Sequence, residues 1–428
     1  MFFKLIRFIL KPFRSFLRPI FPQWLVNYLY HFPIAFLASH MYGNPMKNLE
    51  IIAVTGTDGK TTTSLMIYDI LKTAKKKVAV ISTVSAKIGR KSVKTGFHVT
   101  SPDPWKLQKL LRQIRSKKYR YVVLEVTSHG LDQFRVYPLH PKIAVLTNIT
   151  HEHLDYHKNF VSYQTAKLKL LRASSHAVVN KDLEIFGSIN AHLPNHHFST
   201  FSITNNSQLK PSKVKYYKAH TVFTLGNTEY YLPLTGIYNL YNALSAIAAC
   251  LIVGVSPADI KRGLANFKGV KGRLEEIPSK TGIHAFVDFA HTPNALSEVL
   301  KNLSDKKLKG EKLIVVFGSA GLRDQTKRPL MGEMAGLYAD KIIVTSEDPR
   351  TEDPLVIANQ IKSGIKSPTK PVIELDRGSA IRKAVNLAKR GDWVVVCGKG
   401  HEETMCFGEN EIPWSDQKEL AIALKEKK

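Results

Sequence analysis

Cysteine and acidic residues are both scarce in this 428-residue chain. It contains three cysteines, Cys250, Cys397 and Cys406, and no C-x-x-C pair. That pattern disfavours a disulfide framework and a structural zinc site, and it favours a reducing compartment such as the cytoplasm. The chain has 62 Lys and Arg residues against 35 Asp and Glu residues, a formal net charge of +27. Such an excess predicts an acidic partner: a nucleotide, a nucleic acid, a sugar phosphate or an anionic lipid.

Residues 1–48 differ from the rest and are expected to form a basic, amphipathic N-terminal arm. The basic residues at its start step by three and four positions, which would place them on one helical face: Lys4, Arg7, Lys11, Arg14 and Arg18. Residues 21–43 contain no Lys, Arg, Asp or Glu, but their scattered polar side chains make a membrane-spanning helix unpersuasive. Two interpretations stay open: a peripheral contact with an anionic membrane through residues 1–44, or a cover that folds back on the body.

From residue 49 onward, strand-like apolar runs alternate with helix-like segments. A first series comprises LEIIAVTG (49–56), KVAVIST (77–83), YRYVVLEV (119–126), KIAVLTNI (142–149) and HAVVN (176–180). A second series comprises HAFVDFAH (284–291), KLIVVFG (312–318), KIIVTS (341–346), PVIEL (371–375) and WVVVCGKG (393–400). This alternation predicts an α/β protein with parallel sheets covered on both faces. We expect a P-loop-type central ATPase domain at 49–272 and a Rossmann-like α/β C-terminal domain at 273–428.

The first strand-like run ends in a short glycine-rich loop, Gly56-Thr57-Asp58-Gly59-Lys60-Thr61-Thr62. It is shorter than the usual G-x-x-x-x-G-K-[ST], but it has the same arrangement of strand, glycine turn, Lys-Thr and helix. That arrangement directs backbone N–H groups and a helix N-terminus at phosphate oxygens. Lys60 would neutralise the β- and γ-phosphates of ATP, and Thr61 would offer a hydroxyl to Mg²⁺. A pattern this short also occurs by chance, so the flanking strand and helix are needed to support it.

Several longer stretches lie downstream in a fixed order. They are LEVTSHGLDQFRV (124–136), LTNITHEHLDYHKNFVSYQTAKLKLL (146–171), LTGIYNLYNALSAIAA (234–249), GRLEEI (272–277), VDFAHTPNAL (287–296), RDQTKRPLMG (323–332), TSEDPRTEDP (345–354) and GKGHEE (398–403). Together with the short loop they closely resemble the Mur ligases, in particular those that add the third residue of the peptidoglycan stem peptide. The resemblance covers about residues 49 to 420.

The resemblance implies an ATP-dependent ligase of peptidoglycan synthesis. Such an enzyme phosphorylates a substrate carboxylate, and the amine of an amino acid then attacks the acyl phosphate. Lys60, Glu125, His153 and Lys167 match catalytic positions of the family. Thr61, Glu125, His153 and Lys167, the last as a carbamate, would serve the magnesium ions, because hard cations prefer anionic oxygen ligands.

The resemblance also assigns three groups of binding residues. The ATP site would comprise Gly56 to Thr62 of the loop with Asn239, Asn242, Arg273, Asp288 and His291. The pocket for the muramyl dipeptide would comprise Thr100, Ser101, Thr127, Ser128, Gln133 and Arg135. The incoming amino acid would meet Arg323, Asp348, Arg350, Gly398 and Glu402. An arginine can clamp a second carboxylate, so Arg350 favours meso-diaminopimelate over L-lysine, whereas Asp348, in place of the family's asparagine, leaves lysine open.

The family's complete members carry an N-terminal domain for the uridine diphosphate, and residues 1–48 do not match it. We therefore leave open whether the acceptor is UDP-linked, lipid-linked or another carboxylate. An alternative of another class is a basic protein that binds nucleic acid or membrane without catalysis. We expect no nucleic-acid partner, because the sequence shows no recognised RNA- or DNA-binding module and its charge is dispersed. The expected localisation is cytoplasmic, with a possible peripheral position on the inner face of the plasma membrane.

Overall fold

The structure is a computed structural model that describes residues 21–89, 91–94, 102–150, 154–193, 197–366, 368 and 370–427. The basic residues Lys4 to Arg18 and the predicted site residues Thr100, Ser101 and His153 lie outside this part of the chain. Within it, no helix combines the length and apolarity that a membrane crossing needs.

The described part of the arm is helical and packs on the body. It comprises α1 (Gln23–Val26), a π-helical turn (Asn27–His31), α2 (Phe32–Met41) and a 3₁₀ turn (Pro45–Asn48). Asn27 Nδ2 donates to Asp132 Oδ2 at 2.7 Å, and the Phe32 ring lies 5.2 Å from the Phe134 ring. The described residues of the arm therefore fold back on the body and cover part of it, which is the second of the two interpretations given above.

The central sheet has eight strands. In chain order they are β1 (Glu50–Thr55), β2 (Val78–Ile81), β3 (Ser85–Ile88), β4 (Lys91–Lys94), β5 (Tyr121–Glu125), β6 (Ile143–Leu146), β7 (His176–Asn180) and β8 (Phe198–Phe201). Their order across the sheet is β4-β3-β2-β5-β1-β6-β7-β8. In this spatial order, neighbouring strands from β2 across to β8 are parallel, whereas β3 and β4 form an antiparallel edge beside β2. The predicted parallel sheet is confirmed.

Helices cover both faces of this sheet, which explains why its strands are almost uniformly apolar. They are α3 (Lys60–Thr73), α4 (Pro104–Ser116), α5 (Ser128–Asp132), α6 (Leu154–His157), α7 (Phe160–Arg172), α8 (Phe186–His192), α9 (Ile237–Ile252) and α10 (Pro257–Ala265). Along β1, Ile52 and Val54 pack into a core with α3, α9 and α10, whereas Ile51 and Ala53 pack into a core with α4 and α7. The alternation along one strand thus builds two separate cores.

A small antiparallel sheet follows, made of β9 (Ser212–Tyr216), β10 (Thr221–Leu225) and β11 (Thr228–Leu232). The alternation of strands and helices did not predict it.

The second half of the chain is another α/β unit, as predicted. Its strands are β12 (Glu275–Glu276), β13 (His284–Asp288), β14 (Leu313–Phe317), β15 (Lys341–Val344), β16 (Val372–Ile373) and β17 (Trp393–Cys397), in the order β12-β13-β17-β14-β15-β16. Its helices are α11 (Pro293–Ser304), α12 (Lys327–Tyr338), α13 (Pro354–Ser363), α14 (Arg377–Leu387) and α15 (Asp416–Glu426). The hairpin of β18 (Thr404–Phe407) and β19 (Asn410–Pro413) precedes α15. All pairs except β12–β13 in the larger sheet are parallel.

Candidate active site

The glycine-rich loop lies at the carboxyl edge of the central sheet. β1 lies between β5 and β6, so the loops that follow these three strands meet there, where open α/β sheets bind ligands. The backbone N–H of Thr57 donates to the carbonyl oxygen of Asn148 at 3.0 Å. The Thr147 hydroxyl donates to the carbonyl oxygen of Asp58 at 2.6 Å. These bonds fix the shape of the loop against the loop after β6.

Two positions in this loop require glycine. Gly56 has φ +153° and Gly59 has φ +79°, and a Cβ at these positions would lie 1.8 Å from Thr147 Oγ1 and 2.2 Å from Asn242 Oδ1. Immediately after Gly59, α3 begins at Lys60. The Lys60 ammonium bonds to the carbonyl oxygen of Gly56 at 3.1 Å. The result is a positive charge and a helix N-terminus at the same point, which suits phosphate.

Glu125 lies at the end of β5, 2% exposed, and its carboxylate faces this loop. It accepts hydrogen bonds from Thr61 Oγ1 at 3.0 Å and from Thr83, through the backbone N–H at 2.8 Å and the hydroxyl at 2.9 Å. A buried carboxylate beside a hydroxyl is the oxygen set that Mg²⁺ takes when phosphates and water supply its other ligands. The described part of the chain holds no group of three His, Cys, Asp or Glu residues suited to a metal, and His153 lies outside it. The donors that are described therefore fit Mg²⁺ bound together with a nucleotide.

Lys167 extends from α7 to the underside of the same loop. Its side chain is 1% exposed, and its ammonium donates to the carbonyl oxygen of Gly56 at 2.7 Å. The Tyr163 ring, one turn earlier, lies 4.6 Å from that ammonium, and the Tyr163 hydroxyl lies 2.9 Å from Thr57 Oγ1. Lys167 and Lys60 thus contact one carbonyl group from two elements. The sequence analysis did not include Tyr163.

One cavity, of about 270 Å³, opens beside the loop. It is lined by seven of the residues predicted for the nucleotide: Asp58, Gly59, Thr62, Asn239, Asn242, Arg273 and Asp288. Asp288 lies at the end of β13, where burial raises the pKa of its carboxyl against the opposing effect of Arg273. Across this cavity, Asn294 Nδ2 donates to Asp58 Oδ2 at 3.0 Å. The walls therefore come from both halves of the chain.

Asp182 and Tyr241 line the same cavity and were not predicted. The Tyr241 hydroxyl donates to Asp182 Oδ2 at 2.9 Å. Burial alone would raise the pKa of Asp182, but hydrogen bonds from Ser202, Thr204 and Asn205 hold it far below its usual value. Asp182 thus stays ionised and fixes one wall. The residues that donate hydrogen bonds to Asp182 come about twenty positions later in the chain, so no short sequence motif identifies this group.

A second cavity, of about 200 Å³, lies on the other side of the loop. Its lining joins Lys60, Thr61, Glu125 and Thr127 of the central half to Arg273, His291, Arg323, Asp348, Arg350 and Glu402 of the second half. Two of the predicted catalytic residues, Lys60 and Glu125, and four of the five residues predicted for the amino acid thus face one space, whereas Lys167 does not line it. Ser128, Gln133, Arg135 and Gly398 do not line it. Gly398 lies against Glu347, which does line the cavity: a Cβ at Gly398 would lie 2.7 Å from Glu347 Oε2.

A buried cation balances the acidic side of this second cavity. Lys399 is 1% exposed, and its ammonium lies 2.8 Å from Asp348 Oδ1 and 2.5 Å from Glu402 Oε2. Burial alone would lower the pKa of Lys399, but these two carboxylates raise it above its usual value. Lys399 is therefore charged and forms ion pairs with both Asp348 and Glu402. The sequence analysis had named Asp348 but not this partner.

Arg350 is held in a strained backbone position at the rim. Its φ is +53°, and its backbone N–H donates to the carbonyl oxygen of Cys406 at 3.1 Å, in the hairpin β18–β19. Its guanidinium donates through Nη1 to the carbonyl oxygen of Gly321 at 2.6 Å. Left-handed backbone in a residue other than glycine costs free energy, and such residues concentrate at ligand sites. The geometry thus fixes the direction of one guanidinium beside the second cavity.

Fold and cavities together define a P-loop enzyme of the α/β class. The family model of the Mur ligase middle domain matches residues 54–250, and that of the Mur ligase glutamate ligase domain matches residues 272–400. The chain therefore belongs to the Mur ligase family, whose members are ATP-dependent ligases that form peptide bonds.

Individual relatives agree with the family assignment. The UDP-N-acetylmuramoyl-L-alanyl-D-glutamate--2,6-diaminopimelate ligase of Clostridium botulinum is 37% identical over 399 residues, which cover 92% of this chain and 81% of the relative. The protein of the same name from Syntrophomonas wolfei is 36% identical over 409 residues, covering 92% and 82%. A solved structure of a ligase of that name is 32% identical, with a TM-score of 0.61 over 89% of this chain and 79% of that one.

Proposed function

We propose that this protein joins meso-diaminopimelate to the D-glutamate carboxylate of a muramyl dipeptide, at the expense of ATP. Support comes from the names of its relatives and from the two cavities that share the glycine-rich loop. The proposal divides the chain into the arm (1–48), the central domain (49–272) and the C-terminal domain (273–428).

In this proposal the loop and Lys60 hold the phosphates of ATP, with the adenosine in the first cavity. Mg²⁺, bound with the nucleotide, would neutralise phosphate charge near Glu125 and Thr61. Lys60 then stabilises the charge that develops as the γ-phosphoryl group passes to the acceptor carboxylate. The uncharged amine of the amino acid attacks the acyl phosphate carbon in the second cavity. The C–N bond forms, the C–O bond to phosphate breaks, and inorganic phosphate and one proton from the amine leave.

The observation that favours diaminopimelate over lysine is the pairing of Asp348 with Lys399. A free carboxylate at that position would attract the side-chain ammonium of lysine and repel the distal carboxylate of diaminopimelate. Because Asp348 is already paired with Lys399, the Arg350 guanidinium is left to bind that distal carboxylate.

We expect replacement of Arg350 by alanine to lower kcat/KM for diaminopimelate by at least about 100-fold, since a paired carboxylate contact contributes a few kcal/mol. The low activity with lysine should change by less than about threefold, since lysine has no distal carboxylate. The measurement is phosphate release with ATP, a muramyl dipeptide acceptor and each amino acid. Arg382→Ala, on the exposed side of α14, is the matched control. Equal losses with both amino acids would mean that Arg350 does not bind the distal carboxylate.

We also propose a peripheral contact with anionic membrane through residues 1–44. The support is the set of five basic residues between Lys4 and Arg18. Each basic residue contributes on the order of 1 kcal/mol near an anionic bilayer.

Deletion of residues 1–18 should weaken binding of the protein to phosphatidylserine-containing vesicles, measured by co-sedimentation. The deletion stops there because residues 21–48 pack on the body. Salt should weaken the binding of the full chain by screening. Unchanged binding after the deletion, or equal binding to neutral vesicles, would contradict the proposal.

A further inference from the structure

One face of the arm helix is left uncovered. Residues 23–41 run from α1 through the π turn into α2, and six large apolar side chains on their outer face are 43–62% exposed: Trp24, Tyr28, Leu29, Phe36, Leu37 and Met41. We call this set the apolar strip. It recurs at helical spacing, and residues 19–46 contain no Lys, Arg, Asp or Glu. Soluble proteins rarely expose so continuous an apolar surface unless it meets a partner.

The opposite face of this helix is fixed to the body. Ala35 and Ala38 are fully buried, and the Phe32 ring lies 5.2 Å from both the Phe134 and the Tyr137 rings. The hydrogen bond from Asn27 to Asp132 adds a polar anchor. The apolar strip therefore keeps a constant position relative to the segment 132–137.

The border of the apolar strip is basic. α4, which packs against α2, carries Lys106, Lys109, Arg112 and Arg115 at intervals of three residues, and Lys117 and Lys118 follow it. Arg115 donates to the carbonyl oxygen of Gly43 at 3.1 Å, and Arg112 and Arg115 line a cavity of about 500 Å³ with His40 and Met41. An apolar surface with Trp and Tyr beside cationic side chains suits the headgroup region of an anionic bilayer. A second copy of the chain, itself at +27, would be repelled.

The segment beneath the helix also carries part of the proposed acceptor pocket. Asp132 and Phe134, which contact the helix, alternate with Gln133 and Arg135, which are assigned to the muramyl dipeptide. Thr127, shortly before them, lines the cavity that contains Glu125. If the apolar strip lies on lipid, the segment that carries Gln133 and Arg135 lies next to the membrane surface.

On this basis, and resting on the ligase function proposed above, we propose that the acceptor is lipid-linked: a muramyl dipeptide whose sugar is attached through a diphosphate to a lipid chain. The apolar strip and its basic border hold the enzyme on the bilayer that contains this acceptor. Confinement of both to one surface raises the effective concentration of the acceptor without any new contact in the pocket.

The test compares two acceptors with the full-length enzyme, ATP and diaminopimelate. One is the muramyl dipeptide on a polyprenyl diphosphate in phosphatidylglycerol vesicles, and the other is the UDP-linked muramyl dipeptide in solution with the same vesicles present. We expect kcat/KM to be at least about tenfold higher for the lipid-linked acceptor. Substitution of the apolar strip by Trp24→Glu, Leu29→Glu and Phe36→Glu should abolish this advantage and leave turnover of the UDP-linked acceptor unchanged. Leu337→Glu and Leu355→Glu, at exposed leucines of α12 and α13, are the matched control.

Each outcome has a defined meaning. Equal or greater kcat/KM with the UDP-linked acceptor would overturn the inference and leave the ligase function standing. Equal losses with both acceptors in the substituted enzyme would show that the apolar strip is structural, and would also overturn it. Absence of turnover with either acceptor would overturn the ligase function and this inference with it.

Discussion

Replacement of Lys60 by alanine is expected to lower the rate of ligation by at least about 10³-fold, on the order of 4 kcal/mol of transition-state stabilisation. Lys60 is the first residue of α3, and its ammonium lies over the carbonyl group of Gly56, at the point where the loop would hold the transferred phosphoryl group. The loss arises because Lys167, the other cation bonded to that carbonyl group, is buried beneath it and cannot take the place of Lys60. Phosphate release under saturating ATP measures the effect.

The fold should survive this change, because the Lys60 side chain contributes charge rather than packing. The temperature of unfolding should stay within about 2 °C of the wild type. Lys72→Ala, an exposed lysine in the last turn of the same helix, is the matched control and should retain full activity. Substantial ligation by Lys60→Ala would argue that the phosphates bind elsewhere.

Replacement of Lys167 should be almost as damaging, with a loss of at least about 100-fold. If the Lys167 ammonium loses a proton and the resulting amine adds CO₂, an N–C bond forms, a second proton is released, and a cationic group becomes an anionic oxygen ligand under the glycine-rich loop. Removal of CO₂ from the buffer should then lower wild-type activity, and added bicarbonate should restore it.

The variants Lys167→Ala and Lys167→Met separate this chemistry from packing. Methionine preserves most of the buried volume, so its unfolding temperature should lie closer to that of the wild type than that of the alanine variant. Neither variant should respond to bicarbonate. A wild type indifferent to CO₂, with Lys167→Met still active, would assign Lys167 a purely structural part in anchoring Gly56.

Local patterns in the sequence predicted ten strands of the two large sheets and the position of the glycine-rich loop, but not β3, β4, β8 and β12. β1 and the loop after it could be located from the apolar run and the glycines, because both signals lie within a few residues of each other. The three-stranded sheet β9–β11 gave no such signal, since at least three of the five side chains in each of its strands are partly or fully exposed.

Contacts between distant residues were the part that the sequence did not predict. Thr83 is separated from Glu125 by 42 residues, and Lys399 from Asp348 by 51. The sequence revealed the carboxylate of Asp348 as unusual, but its cation comes from the loop after another strand of the same sheet. The same holds for the arm. Its apolar residues could be recognised in the sequence, but the contacts of Phe32 with Phe134 and Tyr137 could not, because they depend on how the body folds.

The ion triad of Lys399, Asp348 and Glu402 constrains how amino-acid choice could evolve or be engineered. Removing Lys399 would leave two buried carboxylates without their cation, so this single change is expected to be worse than its combination with a change of Asp348. Passage from the zwitterionic side chain of diaminopimelate to the cationic side chain of lysine would therefore need Arg350 and the triad to change together. Because these positions are coupled, amino-acid specificity should resist change. Each single substitution that favours lysine is expected to lower activity with diaminopimelate before activity with lysine appears.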